Sequence, residues 1–72
     1  MAELKFFGYL SDIAGTRIKE LSLEHPVMLR ELVPSCFPET NVIILINQKV
    51  GNLDSEITDK DSVVLMPILS GG

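Results

Sequence analysis

With Cys36 as its only cysteine, this 72-residue chain can form no internal disulfide, no four-cysteine zinc site and no cysteine-held iron–sulfur cluster. Its fold must rest on the hydrophobic core alone. A chain of this size buries only about 60% of the surface its unfolded form exposes, so the elements must be few and all must serve one core. The length predicts a single domain over residues 1–69, with 70–72 as a flexible tail. Apolar residues make up 46% and charged residues 22%, too hydrophobic for a disordered segment and too mixed for a membrane span.

Residues 3–10 (ELKFFGYL) alternate Leu4, Phe6, Gly8 and Leu10 with Glu3, Lys5, Phe7 and Tyr9, which predicts a strand. Ser11–Gly15 reads as a turn, and Thr16–Leu23 as a second strand, antiparallel to the first. The apolar phase slips between Ile18 and Leu21, and a bulge near Lys19 or Glu20 would return Leu21 and Leu23 to the core face. After Pro26, Leu29, Leu32, Val33 and Cys36 recur at helical spacing, so a helix is expected to end at Val33, before Pro34, or to pass a kink and reach Cys36. Val42–Ile46 is a continuous apolar run, expected to be a central strand buried on both sides. Lys49–Val50 suggests a short edge strand, Ile57 a core plug beneath a turn-rich loop, and Ser62–Leu69 the last strand. The order ββαβ(β)β describes an α+β fold, a mixed sheet of four to five strands with one helix packed across it.

Charge narrows the function. Six Lys and Arg against ten Asp and Glu leave a net charge of −4, and Lys5, Lys19, Lys49 and Lys60 are scattered among carboxylates. Nucleic-acid binding needs clustered cations, so it is not expected, whereas an acidic surface suits a basic protein partner. No apolar stretch approaches the roughly 18–20 residues that span a bilayer, and MAELKFF lacks the regions of a signal peptide, so the expected location is cytoplasmic with no membrane contact.

The sharpest feature is the ending Gly71-Gly72, which chance would place on roughly one chain in 200. Without a Cβ, two glycines can lie in a channel barely wider than a backbone. The extended segment from Pro67 to Gly72 spans about 20 Å, enough to put its end inside another protein. The Gly72 α-carboxylate, with a reference pKa of about 3.5, is ionised at neutral pH and can attack an ATP α-phosphate. The acyl-adenylate so formed would be open to a sulfur donor or an amine.

Leu4–Thr16 (LKFFGYLSDIAGT), CFPE at Cys36–Glu39 and the segment Ile46–Gly72 resemble the MoaD/ThiS family of ubiquitin-like sulfur carriers, most closely its molybdopterin-synthase branch. Phe6-Phe7 followed by Ala14-Gly15-Thr16, Asn47-Gln48, Ile57-Thr58-Asp59 with Asp61, and the proline-containing run into Gly-Gly carry the resemblance. It implies a β-grasp fold and a carrier rather than an enzyme. In such a carrier Gly72, at the end of the Leu69-Ser70-Gly71 tail, is adenylated and converted to a thiocarboxylate. The implied partners are a ubiquitin-activating-type adenylating enzyme (MoeB- or ThiF-like), which uses ATP, and a MoaE-like large synthase subunit; no cofactor is implied on the chain itself. Where many members of that branch have two adjacent prolines, this chain has Pro67 followed by Ile68. A thiamin-type carrier, a protein modifier and a β-grasp binding module without carrier chemistry remain alternatives.

The resemblance also places the first and last strands side by side, and Phe7, Met66 and Ile68 would then form an exposed apolar patch beside Pro67 and the tail, the expected partner surface. Cys36 reads as a small hydrophobe in the helical stripe and His25 as a surface residue. Asp54, Glu56, Asp59 and Asp61 lack the glycine and bidentate glutamate of a calcium loop and read as a solvated acidic loop.

Overall fold

The computed structural model describes residues 1–68. Strand β1, Ala2–Phe6, follows the alternation read above: Ala2, Leu4 and Phe6 are buried, while Glu3 and Lys5 face the other way. It stops short of Leu10 because Gly8 takes φ +58° and turns the chain. The expected turn is instead a short helix, α1, Leu10–Ala14. Leu10, Ile13 and Ala14 stand at i, i+3 and i+4 and pack on the core, and Gly15, at φ +81°, closes the helix by donating its N–H to the Ser11 carbonyl at 2.9 Å.

Strand β2, Ile18–Leu21, pairs antiparallel with β1 as expected, but without the bulge. The register runs unbroken from Ala2 opposite Leu21 to Lys5 opposite Ile18. Leu21 therefore reaches the core side in phase, and Ile18 stays on the outer face, 51% exposed. Lys19, opposite Leu4 on the inner side, is exposed because β2 is an edge strand. A lysine there also discourages edge-to-edge pairing.

The helix expected from Pro26 does not form. Val27–Met28 is strand β3, paired with Ile57 and Glu56 of β6 (Glu56–Ile57), and Leu29–Glu31 is a single 3₁₀ turn. Only seven residues separate Pro26 from Pro34, too few to repay helix nucleation. The backbone finds other partners: Leu29 N–H donates to the Ser55 carbonyl and Arg30 N–H to the Leu53 carbonyl, each at 2.9 Å. Leu29 is buried all the same, while Cys36, expected in a buried stripe, is exposed in the loop beyond Pro34.

Strand β4 is Val42–Ile46, β5 is Lys49–Val50 and β7 is Ser62–Pro67. The main sheet has the order β2-β1-β7-β4-β5, with β1 and β7 parallel and the other neighbours antiparallel. The central strand is thus β7, not β4. Nor is β4 buried on both sides, since Ile44 lies in the core and Ile43 is 38% exposed. β5 is the short edge strand that the sequence suggests. Asn47 and Gln48, at φ +52° and +71°, make the two-residue turn between β4 and β5.

One face of the sheet carries the core. Leu4, Phe6, Ile44, Val63 and Leu65 are covered by Leu10 of α1, Leu29 of the 3₁₀ turn, Ile57 of β6, and Phe37 and Leu53 from the loops. The Phe6 and Phe37 rings meet edge to face with centroids 5.9 Å apart. All the covering elements lie on this inner side, so the outer face is left open.

Candidate functional site

Directly paired residues share a face of a sheet, so the strand registers state which side chains meet on the open side. Lys5 lies between Ile18 and Val64, Val64 is opposite Leu45, and Leu45 is opposite Val50. Phe7 continues β1 by donating its N–H to the Leu65 carbonyl at 2.9 Å, which sets it beside Met66, itself opposite Ile43. Ile68 follows, its N–H bonded to the Asn41 carbonyl at 2.9 Å. The result is a mostly apolar face with Phe7, Ile18, Ile43, Val50 and Ile68 exposed, and Leu45, Val64 and Met66 half-buried among them. Patches of this kind on small soluble chains mark binding surfaces.

Of the residues that the sequence singled out for a partner, Phe7, Met66 and Ile68 come together here, with Phe7 50% and Ile68 46% exposed. Pro67 does not join them. It lies on the inner side of β7, opposite Val42, half-buried against Gly8. A Cβ on Gly8 would stand 2.9 Å from Pro67 Cγ, so the turn after β1 and the end of β7 touch where the tail begins. Leu69, Ser70, Gly71 and Gly72 lie outside the described residues.

Ile18, Ile43, Leu45, Val50 and Val64 belong to the open face but were not read as site residues. Their signals were present in the sequence. Ile18 breaks the core phase of β2, and the unbroken apolar run of β4 has two faces to satisfy, only one of them the core.

The acidic loop is organised by hydrogen bonds. Asp61 Oδ2 accepts the Thr58 N–H and its Oδ1 the Asn47 Nδ2–H, each at 2.8 Å, while Asn47 Oδ1 accepts the Ser62 N–H at 3.0 Å. The Thr58 N–H foremost, then Asn47, holds the Asp61 carboxyl below its usual range. Asp59 Oδ1 accepts the Leu23 N–H at 2.9 Å, and that bond is the main cause of its lowered pKa. Arg30 joins two loops through Asp54, at 2.8 Å, and Glu39, at 3.2 Å, and these hydrogen bonds, Asp54 first, raise its pKa further. Asp54, Asp59 and Asp61 thus hold loops in place. Among the described residues no three His, Cys, Asp or Glu side chains gather as a metal site, and exposed His25 faces only the Pro26 carbonyl, 3.2 Å from Nδ1.

Comparison with known structures supports the fold. A Pyrococcus furiosus protein provisionally named molybdopterin converting factor, subunit 1, is 22% identical, with a TM-score of 0.69 over 92% of this chain and 94% of its own. Small archaeal modifier protein 1 of Haloferax volcanii is 18% identical with a TM-score of 0.70, covering 99% and 98% of the two chains. Its counterpart from Methanosarcina acetivorans is 22% identical with a TM-score of 0.65, covering 99% and 95%. At these identities the likeness establishes the ubiquitin-like β-grasp fold alone; in this chain the helix is α1, not a segment after Pro26. A comparison with curated proteins finds no match. The ThiS family model, however, matches residues 4–72, nearly the whole chain and through both glycines. With its five-stranded mixed sheet and its open face beside the end of β7, and matched by the family model over residues 4–72, the chain belongs to the ThiS family.

Proposed function

We propose that this protein is a sulfur carrier whose Gly72 carboxylate is activated by a ubiquitin-activating-type enzyme and then bears sulfur as a thiocarboxylate. One carboxylate oxygen attacks the α-phosphorus of ATP and expels pyrophosphate, and a sulfur nucleophile then displaces AMP from the acyl carbon. The chain contributes the substrate end and a docking surface, and the catalytic groups belong to its partners. The observation that carries this reading is the family match running through Gly71-Gly72. It is supported by an open apolar face that meets the last described residue, Ile68, where it can position the body of the protein while the tail enters an active site.

The sulfur acceptor we propose is the precursor of molybdopterin, with this chain as the small subunit beside a large synthase subunit in the cytoplasm. The likeness to a named molybdopterin converting factor subunit favours it. A second reading is a protein modifier, in which a lysine amine replaces the sulfur nucleophile, favoured by the two small archaeal modifier proteins that share the fold over almost their full length. Incubation with ATP, the activating enzyme and a sulfur donor, followed by intact mass, tests the proposal. The expected product gains the mass difference between sulfur and oxygen; conjugates to protein lysines without that product would favour the modifier.

A further inference from the structure

We propose that the concavity between Lys5, Phe7, Arg17 and Ile18 receives an acidic segment of the activating enzyme, with a carboxylate between the two cations and an apolar neighbour on Phe7 and Ile18. The inference rests on the reading that the open face docks that enzyme, and it specifies the chemistry of the docked surface. The chain as a whole is acidic, at −4, and on that ground a basic partner was expected. The local charge is the opposite. The concavity, about 490 Å³, is lined by Lys5 and Arg17 together with Phe7, Ser11 and Ile18, and by no carboxylate.

The acids of the open face are displaced from it. Glu3 and Glu20 oppose each other across β1 and β2, at the end of the sheet away from Phe7. Lys5 reaches back to Glu3 at 3.7 Å, but both side chains are in water, where such a pair is worth little and an incoming carboxylate can compete for the ammonium. Among the described residues Arg17 forms no ion pair. Its carbonyl accepts the Phe6 N–H at 2.8 Å, which ties its backbone to the end of β1.

The volume suits a few side chains, within the roughly 300–1,000 Å³ usual for ligand sites. Phe7, on the wall of the concavity, also lies beside Met66 of the apolar face, so a peptide segment can use both the charge and the hydrophobic wall. A free phosphate would neutralise the cations but leave that wall in water, and a basic segment would meet like charge.

Isothermal titration of the adenylating enzyme with five forms of the full chain tests this: wild type, Lys5→Glu/Arg17→Glu, Lys5→Gln/Arg17→Gln, Lys49→Glu/Lys60→Glu and Phe7→Ala, each first shown to be folded by its amide NMR spectrum. Both charge reversals change the net charge equally. The Lys5/Arg17 reversal should weaken binding by about tenfold or more at low salt and the control reversal should not, and the gap should narrow as added salt shortens the Debye length from about 10 Å at 0.1 M toward 3 Å at 1 M. Lys5→Gln/Arg17→Gln should fall between wild type and the reversal. Equal weakening by both reversals, or unchanged or tighter binding by the Lys5/Arg17 reversal while Phe7→Ala binds poorly, overturns the acidic-segment proposal and leaves the docking face standing. Normal binding by Phe7→Ala removes the docking reading itself. Binding of inorganic phosphate to the free chain, at concentrations too low to act through ionic strength, that is lost in Lys5→Gln/Arg17→Gln and that displaces the wild-type complex, would show that the cations serve a small anion and also overturns the proposal.

Discussion

Replacing Gly8 by alanine should disturb the start of the tail more than any other single methyl group. The substitution acts twice. At φ +58° an L-residue costs roughly 1–2 kcal/mol, and the new Cβ would lie 2.9 Å from Pro67 Cγ. Pro67 is held in β7 opposite Val42, and its ring can move Cγ only by a change of pucker, so relieving the overlap takes that change together with a shift of the end of β7 or the turn, at about another 1–2 kcal/mol. The sum, about 2–4 kcal/mol, corresponds to a fall in melting temperature on the order of 10 °C or more for a domain of this size. Gly15→Ala is the matched control. It also has positive φ, +81°, but nothing lies within 4 Å of its Cβ, so only the conformational cost of roughly 1–2 kcal/mol applies. Thermal melting followed by circular dichroism gives the two stabilities, and pyrophosphate exchange with the activating enzyme reports whether the tail is still presented. Gly8→Ala should melt well below Gly15→Ala and exchange more slowly. Equal melting temperatures with equal exchange would refute the contact between the turn and the end of β7.

Phe7→Ala should weaken binding to the activating enzyme or the large synthase subunit by about 2 kcal/mol, and Glu56→Ala by under about 1, with little loss of stability because Phe7 is half in water; calorimetry and melting curves separate the effects. Gln48→Gly should raise stability by about 1 kcal/mol, since φ +71° in the β4–β5 turn suits glycine, and a fall in melting temperature would contradict that geometry. Asp61→Ala should destabilise the protein at neutral pH by about 1 kcal/mol, a modest figure because the carboxylate still meets water. The folded-state pKa of Asp61 lies below its unfolded value of about 3.9, so its contribution is present above that pH and is lost as the pH falls through the lower folded value. The stability gap between wild type and Asp61→Ala should therefore close on acidification below about pH 4, and a gap that persists would show that the clasp to Thr58 and Asn47 does not depend on charge.

Where the apolar pattern answered to one environment, the sequence was legible. Lys49–Val50 and buried Ile57 stand where the pattern places them, Val42–Ile46 is a strand with the expected bounds though neither central nor covered on both faces, and the side-by-side β1 and β7 follow the family resemblance. The errors share two causes. One is competition for backbone partners: the stripe Leu29, Leu32, Val33, Cys36 is helical in period, but Pro26 precedes it and Pro34 interrupts it, and β6 with the neighbouring loop offers hydrogen bonds to Val27 through Arg30 that a frayed helix cannot match. The other is the assumption that apolar means buried. The phase slip after Ile18 suggests a bulge near Lys19 or Glu20, and the apolar run of β4 two covered faces, when Ile18 and Ile43 are surface residues of a sheet left open on one side. Phe7, Met66 and Ile68 were visible because their alternation with Leu4, Phe6 and Leu65 was regular. Lys5 and Arg17 were not, because only the fold brings them to one concavity.

The central claim, that Gly72 carries the chemistry and the rest of the chain presents it, is tested most directly by intact mass after incubation with ATP, the activating enzyme and a sulfur donor, comparing the full chain with one lacking Gly72. The full chain should gain the difference between sulfur and oxygen at its terminal carboxylate, located by fragmentation to Gly72, and the truncated chain should remain unmodified while melting within a few degrees of wild type. A full chain that stays at its starting mass although it binds the activating enzyme, or a truncated chain that is modified equally well, would contradict the account.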